Sequence, residues 1–437
     1  MDLDSLVSRL DRQQLDRPLG RVTRVLGSLV ESDGPDLSMG SLCSLEPGRG
    51  AGHIPAEVVG FNGNKILLMP LAEMAGLDNR TLVVPTGTAH DVPVGHGLIG
   101  RVIDGLGRPI DGKGELFSSK SYPLHAKPPP PLSRRRITEP LPLGIRAIDA
   151  FTLCGRGQRV GIFAAAGVGK STLLGMVARG SAADVNVIAL IGERGREVRD
   201  FIERDLGPEG MARSVLIVST SAEPSLLRVR AAFLATAIAE YFRDEGKDVL
   251  LMMDSLTRFA LAQRDIGLAV GEQPTTRGFT PSVFSQLPRL LERSGTSAEG
   301  TITGLYTVLV EGNDPDEPVA DTVRGLLDGH IILSRQLAEQ GQYPAIDVCA
   351  SLSRLMRAIA SEEHMALAHQ YRQLLAAFRE VEDLILTGSY REGSNAKADE
   401  AIARRKDMEA FLCQDCDDLT SMKATMGNLR RLFGQKR

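Results

Sequence analysis

One stretch of the sequence, GIFAAAGVGKST at residues 161–172, constrains the fold more than any other. It ends like the pattern G-x-x-x-x-G-K-[ST], which cradles nucleotide phosphates where a strand turns into a helix. QRVGIFA reads as a strand, and KSTLLGMVAR has an apolar helical face. Ala164 replaces the first glycine of the pattern, but its methyl group costs little if its φ is negative. We therefore expect a strand–loop–helix unit with a working phosphate loop.

The chemistry of this loop assigns roles to its residues. Two glycines let the backbone approach the phosphates, and the N–H groups point into an anion cradle at a helix N-terminus. Lys170 would neutralise the β- and γ-phosphates from a solvent-facing position, and the Ser171 hydroxyl would bind Mg²⁺. We expect seven loop residues to bind the nucleotide: Ala166, Gly167, Val168, Gly169, Lys170, Ser171 and Thr172.

Two carboxylates follow apolar, strand-like runs elsewhere in the chain. DVLLMMDSLTRFA carries Asp254 at the end of such a run, where a carboxylate can contact a nucleotide-bound Mg²⁺. ALIGERGREV carries Glu193 just past another, where a group that polarises attacking water is needed. Asp254 alone could be a cap, and Glu193 alone could be an exposed turn residue. Together with the phosphate loop they predict a metal-assisted phosphoryl-transfer site.

Composition bounds the class of protein. The chain has 437 residues, 43% of them hydrophobic and 24% charged, which predicts two or three globular domains. The net charge of −4 gives no overall attraction to nucleic acid or anionic lipid. No apolar run reaches the roughly 20 residues that span a bilayer, and the acidic N-terminus does not resemble a signal peptide. We expect a cytoplasmic protein that does not bind nucleic acid.

The five cysteines are scattered, as is typical of a reducing compartment. Cys413 and Cys416 form a single C-x-x-C pair without a second pair of metal ligands. We interpret them as two packed or incidental thiols on a helix.

The texture of the sequence changes along the chain. An amphipathic helix is predicted within residues 1–17, either as a docked terminus or as a partner-binding segment, from Leu3, Leu6, Val7 and Leu10. Short β-rich runs up to residue 93 predict a small barrel or sandwich. Apolar strands then alternate with helical runs, which predicts a parallel sheet covered on both faces. Beyond about residue 360 only helical periodicity remains.

Five segments occur along the chain in this order: GIFAAAGVGKST, GERGRE, AEYFRDEGKDVLLMMDSLTRFA, QYPAID and SLSRLM. In sequence and in order they resemble the catalytic subunits of rotary ATP synthases. Other phrases resemble the ATPases of type III protein export more closely: RPLGRV, GLIGRVIDGLGRPIDG, PTTRGFTPSVF, YTVLVEGNDPDEPVADTVRGLLDGHIILSR and EGSNAKADEAI. The resemblance covers nearly the whole chain. It implies a multidomain α/β fold: an N-terminal β-barrel over 18–93, a connector and RecA-like P-loop ATPase domain with a mainly parallel sheet over 94–362, and a helical domain over 363–437.

The resemblance also implies roles that spacing alone does not give. Glu193 aligns with the carboxylate that activates water, and Glu197 with a second acidic group near the metal. Arg354 aligns with the arginine that reaches the γ-phosphate bound to a neighbouring subunit, and Tyr343 with the aromatic residue on the adenine. Non-catalytic nucleotide subunits of the rotary family carry glutamine in place of Glu193, so the acid favours active hydrolysis.

The family resemblance implies ATP and Mg²⁺ as cofactors and a homohexamer, because an arginine given to a neighbour requires a ring. It further implies a stator-like regulator at the N-terminal helix, a central stalk, membrane proteins of the export gate, and export chaperones and substrates. The protein would sit against the inner membrane. LLMMDS, PTTRGFTPS and YTVLVEG favour a flagellar system, whereas Ala164 resembles some injectisome members. A non-catalytic nucleotide-binding subunit and a ring helicase are the alternatives. The helicase is disfavoured, because residues 21–93 contain only one aromatic residue, Phe61, and few basic residues that could bind nucleic acid.

Overall fold

The computed structural model describes residues 19–48, 52–87, 91–118, 120–310 and 317–434. The helix predicted within residues 1–17 lies outside the described residues. Among the helices that are described, none combines the length and the apolar content needed to cross a membrane.

The N-terminal region is a closed barrel of six strands in the order β1-β2-β5-β4-β3-β6. Its strands are β1 Gly20–Leu26, β2 Leu29–Ser32, β3 Leu42–Glu46, β4 Ile54–Asn62, β5 Lys65–Pro70 and β6 Leu82–Gly87. Alternating apolar side chains fill its interior, among them Val30, Leu45 and Leu68, because successive residues of a strand face opposite sides. The predicted boundary at residue 93 falls within β7 (Asp91–Val94), which pairs outside the barrel with β9 (Lys120–Pro123).

The central region is a nine-stranded sheet that is parallel except at two short strands. Along the sheet the strands follow the order β17-β16-β10-β15-β13-β11-β12-β8, with β14 paired antiparallel to β15. The remaining strands are β8 Val102–Asp104, β10 Arg159–Ala164, β11 Val185–Glu193, β12 Ser214–Thr220, β13 Asp248–Asp254, β14 Gly295–Thr296, β15 Thr301–Leu309, β16 Gly329–Leu333 and β17 Leu352–Ser353. The predicted mainly parallel sheet is therefore confirmed.

Helices cover both faces of this sheet. In β13, Leu250 and Met252 join one apolar cluster while Leu251 and Met253 join the other, which explains why the strand is apolar throughout. The helices of this region are α1 Arg146–Phe151, α2 Lys170–Gly180, α3 Gly195–Asp200, α4 Gly207–Met211, α5 Ser225–Asp244, α6 Leu256–Ala269, α7 Pro281–Leu291, α8 Pro318–Leu326, α9 Arg335–Glu339 and α10 Met356–Ile359. A π-helical segment, Phe201–Leu206, joins α3 to α4.

The C-terminal region consists of three helices, α11 Glu362–Leu386, α12 Ala396–Leu412 and α13 Met422–Leu432. The first begins after Ser361, whose hydroxyl accepts a hydrogen bond from the His364 N–H as an N-cap. The His364 ring contacts the carbonyl of Ala150 at 2.8 Å, and Arg372 donates to the carbonyl of Phe151 at 2.7 Å. Side chains of α11 therefore satisfy backbone carbonyls at the end of α1.

The segment after α12 is also fixed to the nucleotide region. Gln414 receives the Arg146 N–H on its side-chain oxygen at 2.8 Å and donates to the Gly144 carbonyl at 2.8 Å. Cys413 and Cys416 lie in this segment, past the end of α12, and both are exposed. The prediction that they are on a helix is wrong, because the chain leaves helical geometry where Arg146 binds the carbonyl of Cys413.

Candidate active site

Three strands of the parallel sheet bring the predicted site residues to one edge. β10 ends at Ala164 just before the phosphate loop, β11 ends at Glu193, and β13 ends at Asp254. Because these strands are parallel, their carboxyl ends lie along the same edge, where such sheets bind ligands.

The phosphate loop has the backbone that the sequence predicts. Gly167 and Gly169 have φ of 80° and 86°, in the left-handed region that favours glycine, and α2 begins immediately afterwards at Lys170. Ala164 belongs to the extended strand, so its methyl group meets no backbone strain. The Val168 side chain is buried in the core, and only its backbone is left to face a phosphate. A helix N-terminus after two left-handed glycines can bind an anion.

Lys170 lies between the two predicted carboxylates. Its Nζ is 2.5 Å from Asp254 Oδ1 and 3.6 Å from Glu193 Oε1. The side chain is only 13% exposed, so the expectation that it faces solvent is wrong. Burial is possible because the ammonium group is paired with the carboxylates at the ends of β11 and β13. The sequence placed all three residues correctly at the sheet edge but did not show that they touch.

Glu193 has the ionisation of a group that can accept a proton at neutral pH. Burial raises the pKa of its carboxyl to about 7, and the charge of Asp254 acts in the same direction while that of Lys170 opposes it. A hydrogen bond with Glu197 raises the pKa further. Glu197 itself is half exposed and contacts Arg194 at 3.5 Å. A carboxylate with a pKa near the working pH is suited to general-base chemistry.

Oxygen atoms suited to Mg²⁺ are present at the same edge. Mg²⁺ prefers hydroxyl, carboxylate and phosphate oxygens, and Ser171 is exposed at the start of α2 while the Asp254 carboxylate ends β13. The ammonium of Lys170 on Asp254 shows that this carboxylate accepts a cation. Thr172 is exposed in the first turn of α2, where backbone N–H groups have no partner within the helix and can contribute to the predicted cradle.

Tyr343 lies beside the phosphate loop. A Cβ built on Gly169 would stand 3.5 Å from its ring, and the ring is partly exposed. The Tyr343 carbonyl accepts a hydrogen bond from the Gln414 N–H at 2.8 Å, so the segment after α12 positions it. The partly exposed ring could therefore pack on a nucleotide base.

Arg354 is the predicted site residue that the fold does not bring to this edge. β17 runs antiparallel to β16, with Leu352 opposite His330, and Ser353 opposite Gly329 at the start of β16. The chain therefore reaches Arg354 at the amino end of the parallel strands, whereas the phosphate loop is at their carboxyl end. The side chain is exposed there.

One contact of the site was missed by sequence reasoning. Thr307, on β15, places its hydroxyl 2.7 Å from Asp254 Oδ1. The available signal was a threonine in the apolar run TITGLYTVLV, but threonine is common in strands and sequence does not give the strand order.

Comparison with known proteins agrees with this architecture. Residues 22–87 match the beta-barrel domain of the ATP synthase alpha/beta family, and residues 144–353 match its nucleotide-binding domain. Residues 360–431 match the T3SS EscN ATPase C-terminal domain. The assembled ATPase EscN from the type III secretion system of enteropathogenic E. coli has a similar structure, with a TM-score of 0.89 and 44% identity over 94% of this chain and 99% of that one.

Two relatives extend the likeness over the chain. The flagellum-specific ATP synthase of Bacillus subtilis is 50% identical over 100% of both chains. The type 3 secretion system ATPase of Xanthomonas euvesicatoria is 53% identical over 94% of this chain and 93% of its own. The family resemblance and the fold class expected from the sequence are confirmed. The chain belongs to the ATP synthase alpha/beta family, in the group of flagellum-specific ATP synthases and type 3 secretion system ATPases.

Proposed function

We propose that the chain is a Mg²⁺-dependent ATPase that energises the docking, chaperone release and unfolding of export substrates at a type III secretion gate. The observation that carries this proposal is the contact of Lys170 with Asp254 and Glu193 at the end of the phosphate-loop sheet. Relatives named as ATPases of flagellar and type 3 secretion systems support the same activity.

The residues divide the work of phosphoryl transfer. Backbone N–H groups of the phosphate loop bind the phosphates, and Lys170 turns from the carboxylates towards the β- and γ-phosphates. Glu193 orients the attacking water and accepts its proton. Mg²⁺, when bound, would neutralise charge on the phosphate oxygens. The residues proposed to hold it are Ser171, Asp254 and Glu197. Tyr343 packs on the adenine.

The geometry of Arg354 supports a ring. Its own phosphate loop is at the opposite end of the sheet, and the residue is exposed on the edge strand. An arginine that stabilises the transferring phosphoryl group must then come from a neighbouring copy. We propose a homohexamer in which Arg354 serves the next subunit. The EscN relative is described as assembled, which supports this proposal.

Further partners follow from the relatives. EscN has also been solved in complex with its central stalk EscO, and that structure has a TM-score of 0.87 to this chain. We propose a central stalk in the ring, a stator-like regulator at residues 1–17, and docking at membrane proteins of the export gate with chaperones and their substrates. The protein would be cytoplasmic and peripheral to the inner membrane.

A flagellar system is the preferred setting. Relatives of the flagellar and the type 3 secretion kind reach 50% and 53% identity, so identity does not separate the two. The flagellar setting therefore rests on the three sequence phrases named above. Affinity purification from the native cell should recover flagellar export proteins, and recovery of injectisome components would replace this setting with the other.

Steady-state ATP hydrolysis tests the activity. Glu193→Gln should lower kcat by at least about 100-fold, because the group that accepts the proton of water is lost. Binding of a fluorescent ATP analogue should remain. The matched control is Glu203→Gln, which removes an exposed carboxylate paired with Arg199 and should leave kcat unchanged. If the Glu193→Gln variant kept most of its ATPase activity, Glu193 would not be the catalytic base, and the alternative of a non-catalytic nucleotide-binding subunit would be favoured.

A further inference from the structure

We infer that Thr307 is a positioning residue that holds the Asp254 carboxylate for the metal-bound nucleotide. The inference rests on the proposed function, because it takes Asp254 as a carboxylate that helps to hold Mg²⁺. It assigns a role to a side chain on β15, which contributes no residue to the site predicted from the sequence.

Strand register places Thr307 beside Asp254. β15 pairs in parallel with β13, and Met253 lies opposite Tyr306, so the next residue along each strand is Asp254 and Thr307. Their side chains meet with Thr307 Oγ1 2.7 Å from Asp254 Oδ1. Both residues are almost completely buried. The contact is therefore fixed by backbone that does not depend on a flexible loop.

The alternation of the strands shows why a hydroxyl at this position is informative. Met252 and Leu305 belong to the apolar cluster that includes the phosphate-loop helix, and two residues further along each strand are Asp254 and Thr307 on the same face. Valine has nearly the same shape as threonine, fits a strand equally well and buries no polar atom. A completely buried hydroxyl here needs a partner, and the carboxylate is that partner.

Two acceptors lie within reach of the single hydroxyl proton. Asp254 Oδ1 is at 2.7 Å and the carbonyl of Met253 is at 3.3 Å. The shorter contact, to a charged acceptor, is the stronger hydrogen bond. The geometry therefore assigns the proton to the carboxylate.

The role of this hydrogen bond depends on Lys170. Its ammonium also contacts Asp254 Oδ1, at 2.5 Å, and it must leave when it turns to the phosphates. Thr307 cannot follow, because it is held in the middle of the sheet. It keeps a donor on Oδ1 after the lysine has moved, so that the carboxylate stays in one orientation with its other oxygen directed away from Thr307. Side chains that orient a metal-binding carboxylate contribute strongly to metal affinity.

Thr307→Val tests this inference through Mg²⁺ binding. Binding of a fluorescent ADP analogue is measured as Mg²⁺ is titrated, and again in EDTA. We expect Thr307→Val to raise the half-saturating Mg²⁺ concentration by about tenfold or more. Affinity for the analogue in EDTA should stay within about twofold, because the phosphate loop is unchanged. Thr307→Ser keeps the hydroxyl, so its half-saturating Mg²⁺ concentration should stay within about threefold of the wild-type value.

Thr303 provides a matched control on the same face of the same strand. It is buried, its hydroxyl accepts the Gly157 N–H at 2.8 Å, and it lies opposite Leu250, four residues before Asp254 on β13. Thr303→Val should lower the melting temperature without changing the Mg²⁺ requirement. If Thr307→Val does not fold, the pair Thr307→Ser and Thr307→Ala makes the same comparison with and without the hydroxyl.

The outcomes separate the inference from the proposed function. A Thr307→Val protein with the wild-type Mg²⁺ requirement and a lowered melting temperature, like Thr303→Val, would overturn the positioning role and leave the proposed ATPase intact. A wild-type protein whose analogue binding does not respond to Mg²⁺ would overturn the proposed function itself, and the positioning role with it.

Discussion

Two groups of charges in the central region, both largely shielded from solvent, are arranged in opposite ways. Arg293 and Glu240 are 1% and 2% exposed and form a two-pronged pair, with Arg293 Nε and Nη2 donating to the two carboxylate oxygens at 2.9 and 2.5 Å. A third nitrogen of Arg293 donates to the carbonyl of Leu124. At the sheet edge, in contrast, the single ammonium of Lys170 serves two carboxylates.

The difference separates structure from chemistry. The Arg293–Glu240 pair is neutral and each guanidinium nitrogen of Arg293 donates a hydrogen bond, so the pair requires no further counter-charge. The cluster at the sheet edge has one carboxylate more than it has cations, and burial together with the Asp254 charge raises the pKa of Glu193. An excess of buried negative charge favours binding of a further cation or a proton. Such an incomplete cluster at the open end of a sheet is what a reactive site requires.

The largest expected effect comes from removing Arg354, whose positive charge is proposed to act in the active site of a neighbouring subunit. Arg354→Ala should lower kcat by about 10³- to 10⁵-fold, as for other arginines that stabilise a transferring phosphoryl group. Nucleotide affinity should change only a few-fold, because the arginine acts mainly in the transition state. Arg357→Ala, an exposed arginine three residues further on, is the control. Wild-type kcat should also rise with protein concentration as rings assemble.

Mixing two inactive variants sharpens this prediction. Rings formed from Arg354→Ala and Glu193→Gln chains contain some interfaces with both residues intact, and these should recover part of the activity. Mixed rings without any recovery would show that Arg354 does not serve a neighbouring site.

Breaking the Arg293–Glu240 pair should lower the unfolding free energy without changing kcat. Glu240→Gln leaves the Arg293 charge buried without a counter-charge, which should cost about 3–5 kcal/mol of unfolding free energy. Urea denaturation measures this loss, and kcat of the folded protein should be unchanged. Glu245→Gln removes an exposed pair with Lys120 and should leave the unfolding free energy almost unchanged, because solvent screens the two charges. Equal losses in the two variants would contradict the contrast drawn between buried and exposed pairs.

The open cluster should also respond to pH. Glu193 must be ionised to accept a proton, so kcat/KM should fall by about tenfold per pH unit below its pKa and level off above it. The pKa of about 7 places the midpoint near neutrality. Because a hydrogen bond with Glu197 raises that pKa, Glu197→Ala should move the midpoint to lower pH. A rate that does not vary between pH 5 and pH 8 would exclude Glu193 as the base.

The smallest effect is expected within the phosphate loop. Ala164→Gly restores the usual glycine, but Ala164 already lies in unstrained strand backbone at the end of β10. Turnover should therefore stay within about twofold of wild type. A large loss of ATPase activity would show that the methyl group packs in a way that the site requires.

The parts of the site that sequence predicts are those fixed by local order. A strand, a glycine-containing loop and a helix lie next to each other in sequence and in space, so residues 161–172 identify the phosphate loop directly. Glu193 and Asp254 could be placed because the ends of parallel strands share one edge. The roles given to Arg354 and Tyr343 came from family resemblance, and they remain predictions.

Contacts between distant segments could not be predicted in the same way. The Thr307–Asp254 hydrogen bond depends on which strands are neighbours, and the strand order does not follow the chain order. The burial of Lys170 depends on two carboxylates from other strands. The prediction of a helix at the cysteine pair fails for the same reason. Helical periodicity carries no information about Arg146, which is distant in sequence and binds the backbone where α12 ends.

The hydrogen bonds between the C-terminal helices and the nucleotide region limit how the chain can be divided. His364 and Arg372 satisfy carbonyls of α1, and Gln414 holds both Gly144 and the backbone of Tyr343. Cutting the chain after the sheet would expose these groups together with the apolar surface around them. The segment that carries the nucleotide chemistry is thus not a detachable module. A truncated form should bind the base poorly even with its phosphate loop intact, and swapping the C-terminal helices between relatives should succeed only when their partners in α1 are exchanged with them.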